Sequence, residues 1–363
     1  MGKKVKRRLL AGGILLALSF FLMAAAQAMP AAAEWYAESV YRWITRIVGS
    51  ISGVFPFSLA EICLYILLAA FVITLIRAAV KGRKNKDLKG ESARWLSCCF
   101  FAGALLFFLY VINCGINYQR VSFSEKEGFP IEGYTDEELA NVCLWLTEEI
   151  NDRSVKVKRD EDGQMKAADN VRNEAARAMR NLGEFYPSLE GDYPRPKELI
   201  LSQIMSWQNL TGIYSPFTIE ANYNGDMTDY NIPFTLCHEL SHLRGFMQEE
   251  EANFIAFLAC IYSDQMEFQY SGYLSAWIYA MNELNDKDVE RWSQIRPMLS
   301  EEADIDVKAN SAFWRQYEGR ASEWSGKIND AYLKVNGQED GVESYDRMVE
   351  LVVSYYRLKA VSG

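Results

Sequence analysis

The stretch LCHELSHLRGFMQEEEANFIAFLAC, residues 236–260, reads as two helices joined by a break. In the first, Leu236, Leu240 and Leu243 recur at i, i+4 and i+7, an apolar face to bury against a core. His238 and His242 lie four residues apart on the other face, one imidazole above the other. With Glu239 they form HExxH, a spacing at which both imidazoles reach one metal ion and the glutamate approaches water held there. These are the only two histidines among 363 residues. Placing the whole histidine content at ligand spacing around a glutamate argues for a metal site rather than for ordinary packing.

Zinc in a catalytic site takes three protein ligands and leaves a fourth position for water. No third histidine exists, and Gln248 stands where the three-histidine pattern HExxHxxGxxH would end. A carboxylate has to serve. The break at Gly245-Phe246-Met247 makes an αα-hairpin that folds Glu249, Glu250 and Glu251 back beside His242. Glu249 ranks first, because Asn253 follows one helical turn later, where its amide can hold a His or Glu ligand from behind. Glu251 is the alternative ligand and Glu250 the least favoured. Acids at a helix N-terminus are otherwise common, since they face the positive end of the macrodipole. The expected cofactor is one Zn2+ per chain, on His238, His242 and Glu249.

Outward from the hairpin the chain divides in two. Up to Asn117 it holds 14 Lys and Arg against 5 Asp and Glu, and beyond it 24 against 43, so a net charge of +9 precedes one of −19. A basic apolar third joined to an acidic remainder excludes a simple cytosolic enzyme and argues against nucleic acid as a partner. Three apolar segments, about 9–33, 57–80 and 95–117, each approach the length that crosses a hydrocarbon core as a helix. Basic clusters from Lys3 to Arg8 and from Arg77 to Arg94 contrast with the loop between the first two segments, which has only Arg42 and Arg46. The positive-inside rule then places the N-terminus in the cytoplasm and everything after Tyr118 outside a multi-pass cell-membrane protein. Ala26-Gln27-Ala28 resembles a cleavage site, but the apolar run is longer than most secretory h-regions and an uncleaved anchor is expected. Glu61, near the outer end of its segment, reads as an interfacial carboxylate rather than a functional intramembrane acid. The HExxH segment itself is flanked by Asp226, Asp229 and Arg244 and has no long apolar run, which keeps it out of the bilayer.

The expected layout is a membrane domain over 1–118, a linker over 119–134 and an extracytoplasmic domain over 135–363. Thr135 and Glu138 form a capping box ahead of a helix with Leu139, Val142, Cys143, Leu146 and Ile150 on one face. A helix over about 168–182 follows, stopped by Gly183. β-Branched and aromatic residues over 210–235, with Asn224-Gly225 as a turn, give a small sheet. Residues 218–224 are expected to form an edge strand beside the cleft, open to an extended peptide. Helices are expected over 249–262, 272–285, 307–335 and 343–358. The seven cysteines show no disulfide framework, and whether Cys237 and Cys260 bridge or stay thiols, like the state of Cys143, is left open.

HELSHLRGFMQEEEANFIAFLAC, the preceding GIYSPFTIEANYN and the late NDAYLKVNGQEDGVESYDRMVELVVSYY resemble the bacterial membrane-protein family called domain of unknown function 3810. The resemblance extends over nearly the whole chain and implies N-terminal spans, an HExxH domain and a metal site, but no substrate. More distantly, HExxH paired with a Glu-x-x-Ala-Asn type helix is similar to the gluzincin peptidases. That resemblance implies a third ligand from a Glu followed four residues later by Asp or Asn, here Glu249 and Asn253, although in many gluzincins this Glu lies much further from HExxH. The fold class expected is therefore membrane-anchored α+β: three transmembrane helices, then a mostly helical, gluzincin-like domain with a small sheet.

The activity expected of such a site is zinc-dependent hydrolysis of peptide bonds in a peptide or protein substrate of the cell envelope, with Glu239 as general base. An oxyanion stabiliser would come from Tyr345 or Arg347, late in the chain, or from Tyr214 ahead of the HExxH helix. The alternative is a non-catalytic, membrane-tethered zinc-binding module that recognises envelope peptides or proteins. Glu239 separates the two, because a scaffold has no need of a general base. Beyond the lipid bilayer and this substrate class, the sequence names no partner and leaves the oligomeric state open.

Overall fold

The computed structural model describes residues 2–336, 338 and 347–362. Helices dominate. Lys3–Ala28 (α1), Leu59–Lys84 (α4) and Leu88–Tyr110 (α5), the last prolonged by tighter and wider turns to Gln119, are long and apolar enough to cross a membrane. Helix α5 packs against both α1 and α4. The first of these ends at Ala28 rather than at residue 33, because Pro30 opens a new helix, Pro30–Tyr36 (α2), and forces Met29 out of helical geometry. Between α2 and α4 lies Arg42–Gly53 (α3).

The remainder comprises Phe123–Glu127 (α6), Asp136–Ser154 (α7), Val171–Phe185 (α8), Lys197–Glu198 (β1), Ser202–Trp207 (α9), Gly212–Ser215 (β2) and Glu220–Tyr223 (β3). After these come Asn231–Leu243 (α10), Glu249–Ile261 (α11), Met266–Lys287 (α12), Val289–Ile295 (α13), Glu301–Arg315 (α14), Arg320–Val335 (α15) and Arg347–Ser362 (α16). The capping box at α7 forms as expected, Glu138 N–H donating to Thr135 Oγ1 at 3.2 Å and Thr135 N–H to Glu138 Oε2 at 2.9 Å. Gly183 does not stop α8. The helix runs on to Phe185, and a side chain at 183 would press within 3.2 Å of the Leu189 and Glu190 backbone, so this glycine serves close approach rather than termination. The helix expected over 307–335 is two, broken at 316–319, and of the one expected over 343–358 the described part begins at Arg347.

The sheet has the order β1-β3-β2, with β1 parallel and β2 antiparallel to β3. Residues 218–224 therefore supply the central strand, all four residues of β3 being buried, and the edges are β1 and β2. The two-residue strand β1, which no periodicity announces, takes the position beside β3 that would have left it open. Helix α10 packs on β2 and β3 and against α8, α11 and α12, burying Leu236, Leu240 and Leu243 completely.

Membrane and extramembrane parts share one core. Tyr41, Cys114 and Tyr118 are buried with the HExxH hairpin in a single apolar cluster, as is Phe123, so the expected linker 119–134 is part of the packed structure. Arg120 pairs with both oxygens of Glu34 at 2.9 and 3.0 Å and stacks over Phe246 at 3.9 Å. Glu220 of β3 accepts from the first backbone N–H groups of α4, Leu59 and Ala60, while Lys197 joins it in a buried ion pair and donates to the Ser52 carbonyl. Glu61, at the first turn of α4, reciprocates by accepting from the Ile200 and Leu201 N–H groups at 2.8 and 2.9 Å. This carboxylate is buried against protein at the first turn of α4.

Candidate metal centre

The site begins with the hairpin. Gly245 sits at φ +97°, where a β-carbon would be strained and would press 3.1 Å from the Tyr41 ring, and this turn reverses the chain between α10 and α11. The reversal brings Glu249, the first residue of α11, against both imidazoles. His238 Nε2 lies 3.3 Å from Glu249 Oε2, and His242 Nε2 lies 3.7 Å from Glu249 Oε1. One ligand atom from each of the three residues falls within 4.8 Å of the others, and the two imidazole rings stand perpendicular. Tetrahedral zinc with bonds near 2.0 to 2.1 Å sets its donors about 3.3 Å apart, so two imidazoles and a carboxylate within 4.8 Å of one another are the right donor types for the ion and would draw closer around it.

Neighbouring groups fix the donors. The Phe246 carbonyl lies 2.8 Å from His242 Nδ1, which assigns the ring proton to Nδ1 and leaves Nε2 as the bare donor facing Glu249. Burial lowers the proton affinity of His242 to a pKa of about 4, so this imidazole is neutral at physiological pH, the form a metal takes. At His238 burial pulls the same way, but hydrogen bonding and charge from Glu249, then Glu239 and the Asn253 amide, prevail and raise its pKa. The Asn253 amide lies beside His238, but Asn253 Nδ2 and His238 Nδ1 are both buried without a hydrogen-bond partner among the described residues.

Glu239 points elsewhere. It is buried against the backbone of Gly212 on the edge strand, where a side chain at 212 would lie 2.7 Å from its Cγ. Its Oε2 is buried and has no hydrogen-bond partner among the described residues. Burial, opposed by His238 and assisted by Glu249, lifts its carboxyl to about 8.

The other candidates are not brought to this cluster. Glu251 turns away from the histidines, and its carboxylate accepts from the Ser124 hydroxyl at 2.5 Å and the Ser124 N–H at 3.0 Å. It is a helix-capping acid for α6, and the structure does not place it as the alternative ligand. Glu250 accepts from Gln338 Nε2 at 2.6 Å, with the positive charge of Arg347 nearby. Arg347, at the start of α16, is thus placed next to Glu250. Tyr214 lies on β2, but its hydroxyl bonds that of Tyr41 at 2.8 Å, and Tyr41 in turn donates to the Leu243 carbonyl at 3.1 Å. The single proton of Tyr214 is committed to Tyr41, which removes it as an oxyanion donor in this arrangement. Tyr345 lies outside the described residues. Cys237 and Cys260 are buried free thiols that touch one another, and Cys143 is a free thiol in the core.

The hairpin turn rests on the C-terminal extension of α5 and the residue after it: Cys114 Sγ lies 3.7 Å from Met247 Sδ, and Arg120 Nη1 donates to the Arg244 carbonyl. The contributions of Tyr41, Gly212 and the Phe246 carbonyl are absent from any motif. Only Gly245, as a turn residue three beyond His242, signals that a backbone carbonyl returns toward the ring.

Residues 36–353 match the family described as Protein of unknown function (DUF3810). The chain belongs to this family. The matched region of this DUF3810 chain includes α4, α5 and the whole of the histidine and glutamate cluster, so spans and site are covered by one family model. No curated protein and no solved structure matches the chain.

Proposed function

We propose that this chain is a membrane-anchored zinc metallopeptidase with a gluzincin-like arrangement, its C-terminal domain outside the cytoplasm and its substrate a peptide or protein of the cell envelope. One observation supports it above the rest. Three metal donors converge while the carboxylate between the two histidines, Glu239, is buried without a partner for Oε2 among the described residues. A buried carboxyl oxygen without a partner costs about 1 to 3 kcal/mol, and this one lies on the residue next to His238, where a bound water would satisfy it.

His238, His242 and Glu249 would hold the ion, with the Phe246 carbonyl orienting the His242 ring and the Asn253 amide beside His238. A bound Zn2+ supplies Lewis acidity and lowers the pKa of coordinated water. Glu239 is the proton carrier: Oε2 takes a proton from the attacking water and returns it to the leaving amine. Burial holds the Glu239 carboxyl at about 8 even with His238 opposing it, and the added charge of a bound ion would draw it lower, toward the ionised form a base needs. Strand β2, the sheet edge beside Glu239, is placed to pair with an extended substrate.

The test is a mixed peptide library incubated with the zinc-loaded, purified full chain and read by mass spectrometry. Cleavage that Glu239→Gln abolishes while zinc is retained is the expected result. An intact library with a zinc-loaded chain would leave the tethered zinc-binding module as the reading.

A further inference from the structure

Two helices outside the spans turn large apolar residues outward as well as inward. On α3 Thr45, Gly49 and Ser52 are buried, with Gly49 against Pro194 and Ile219, and Ile44 and Val48 pack partly buried on the core, while Trp43, Ile47 and Ile51, at i, i+4 and i+8, are 57 to 61% exposed. On and just before α9, Ser202, Met205 and Ser206 are buried, whereas Ile200, Ile204 and Trp207 are 42 to 63% exposed. A helix at a water-facing surface carries large apolar residues inward and polar ones outward.

Both faces lie at the membrane rim. Helix α3 runs through 54–58 directly into α4, and Glu61 in the first turn of α4 holds the backbone N–H groups of Ile200 and Leu201. The Lys197 bond to the Ser52 carbonyl and the Lys197 pair with Glu220 tie the end of α3 to the same sheet. Arg46 stacks its guanidinium 5.5 Å above the Trp43 ring and reaches Asp192, while Arg42 reaches Glu190, so the charged side chains of α3 turn toward the domain. An aromatic ring beside a cation at the end of a span is the composition of a headgroup-level belt.

We infer that α3 and the 200–207 segment form an apolar collar immersed in the lipid leaflet on the side of the C-terminal domain. The occupant is lipid, continuous with the lipid around α4. The collar seats the domain on the bilayer surface, so that the HExxH hairpin, already resting on the C-terminal extension of α5, is held at a fixed height above it.

The test uses the full chain reconstituted in phosphatidylcholine and phosphatidylglycerol vesicles, with the photoreactive residue p-benzoylphenylalanine placed singly at Trp43, Ile47 or Ile204. Leu67, exposed on α4, is the lipid-facing reference, and Val289, exposed on α13 away from the spans, is the water-facing one. These are surface positions, so each variant keeps its core. After irradiation and mass spectrometry, lipid adducts at the three collar positions should reach the Leu67 yield within about threefold and exceed the Val289 yield by about tenfold or more. Yields at the Val289 level, or cross-links between two copies of the chain in place of lipid adducts, overturn the assignment.

Discussion

Glu251→Gln separates the two acids of α11 that sequence alone left in competition. Burial, opposed by Ser124 and assisted by Glu250, pushes the Glu251 carboxyl up to about 7 from its ordinary 4.5. A factor of ten in proton affinity is worth 1.36 kcal/mol, so this displacement corresponds to about 3 kcal/mol. The folded-state pKa lies above the unfolded one, so the neutral carboxyl stabilises the fold. That contribution is complete below about pH 4.5 and is lost as the pH rises through about 7, because the unfolded chain ionises first. Glutamine cannot ionise and accepts the Ser124 N–H through its own carbonyl. Relative to wild type, the variant should therefore gain about 3 kcal/mol between pH 4.5 and 8, or roughly 6 to 12 °C in thermal midpoint. The assay is thermal unfolding of both proteins in detergent, in chelator, across that range. A midpoint difference that does not change with pH would refute the buried-carboxyl argument. Loss of bound metal in Glu251→Gln would restore Glu251 as a ligand.

Asn253→Ala removes the amide beside His238 and should weaken metal retention about 10- to 100-fold, measured by competition with a zinc chelator, with no change in the thermal midpoint of the metal-free chain beyond a few degrees. Lys197→Met strands Glu220 without its buried counter-charge and should cost about 3 to 5 kcal/mol, whereas the double change Lys197→Met with Glu220→Gln should recover most of it. Denaturant unfolding of the full chain checks both, and a double variant no more stable than the single one would contradict the pairing argument.

The HExxH helix and its hairpin are legible because their signals are local. His238 and His242 share one helix face at i and i+4, Leu236, Leu240 and Leu243 name the opposite face, and Gly245 marks the reversal that delivers Glu249. The spans are legible for the same reason, length and apolarity, though their ends moved where Pro30 intervened and where α5 begins at Leu88. What was not legible depends on partners distant in sequence. Tyr214 looked available until the Tyr41 hydroxyl, 173 residues away, took its proton. Residues 218–224 looked like an edge until a two-residue strand at Lys197–Glu198 covered them. Gly183 carries the same letter as a helix stop, and only the returning backbone of Leu189 and Glu190 shows that it does another task.

Elemental analysis of the purified full chain, after gel filtration in zinc-free buffer, tests the central claim most directly. The account predicts about one zinc per chain, lost in His242→Ala and Glu249→Ala and retained in Glu239→Gln and Glu251→Gln. A folded chain supplied with zinc that elutes without it would contradict the metal centre and, with it, the hydrolytic reading.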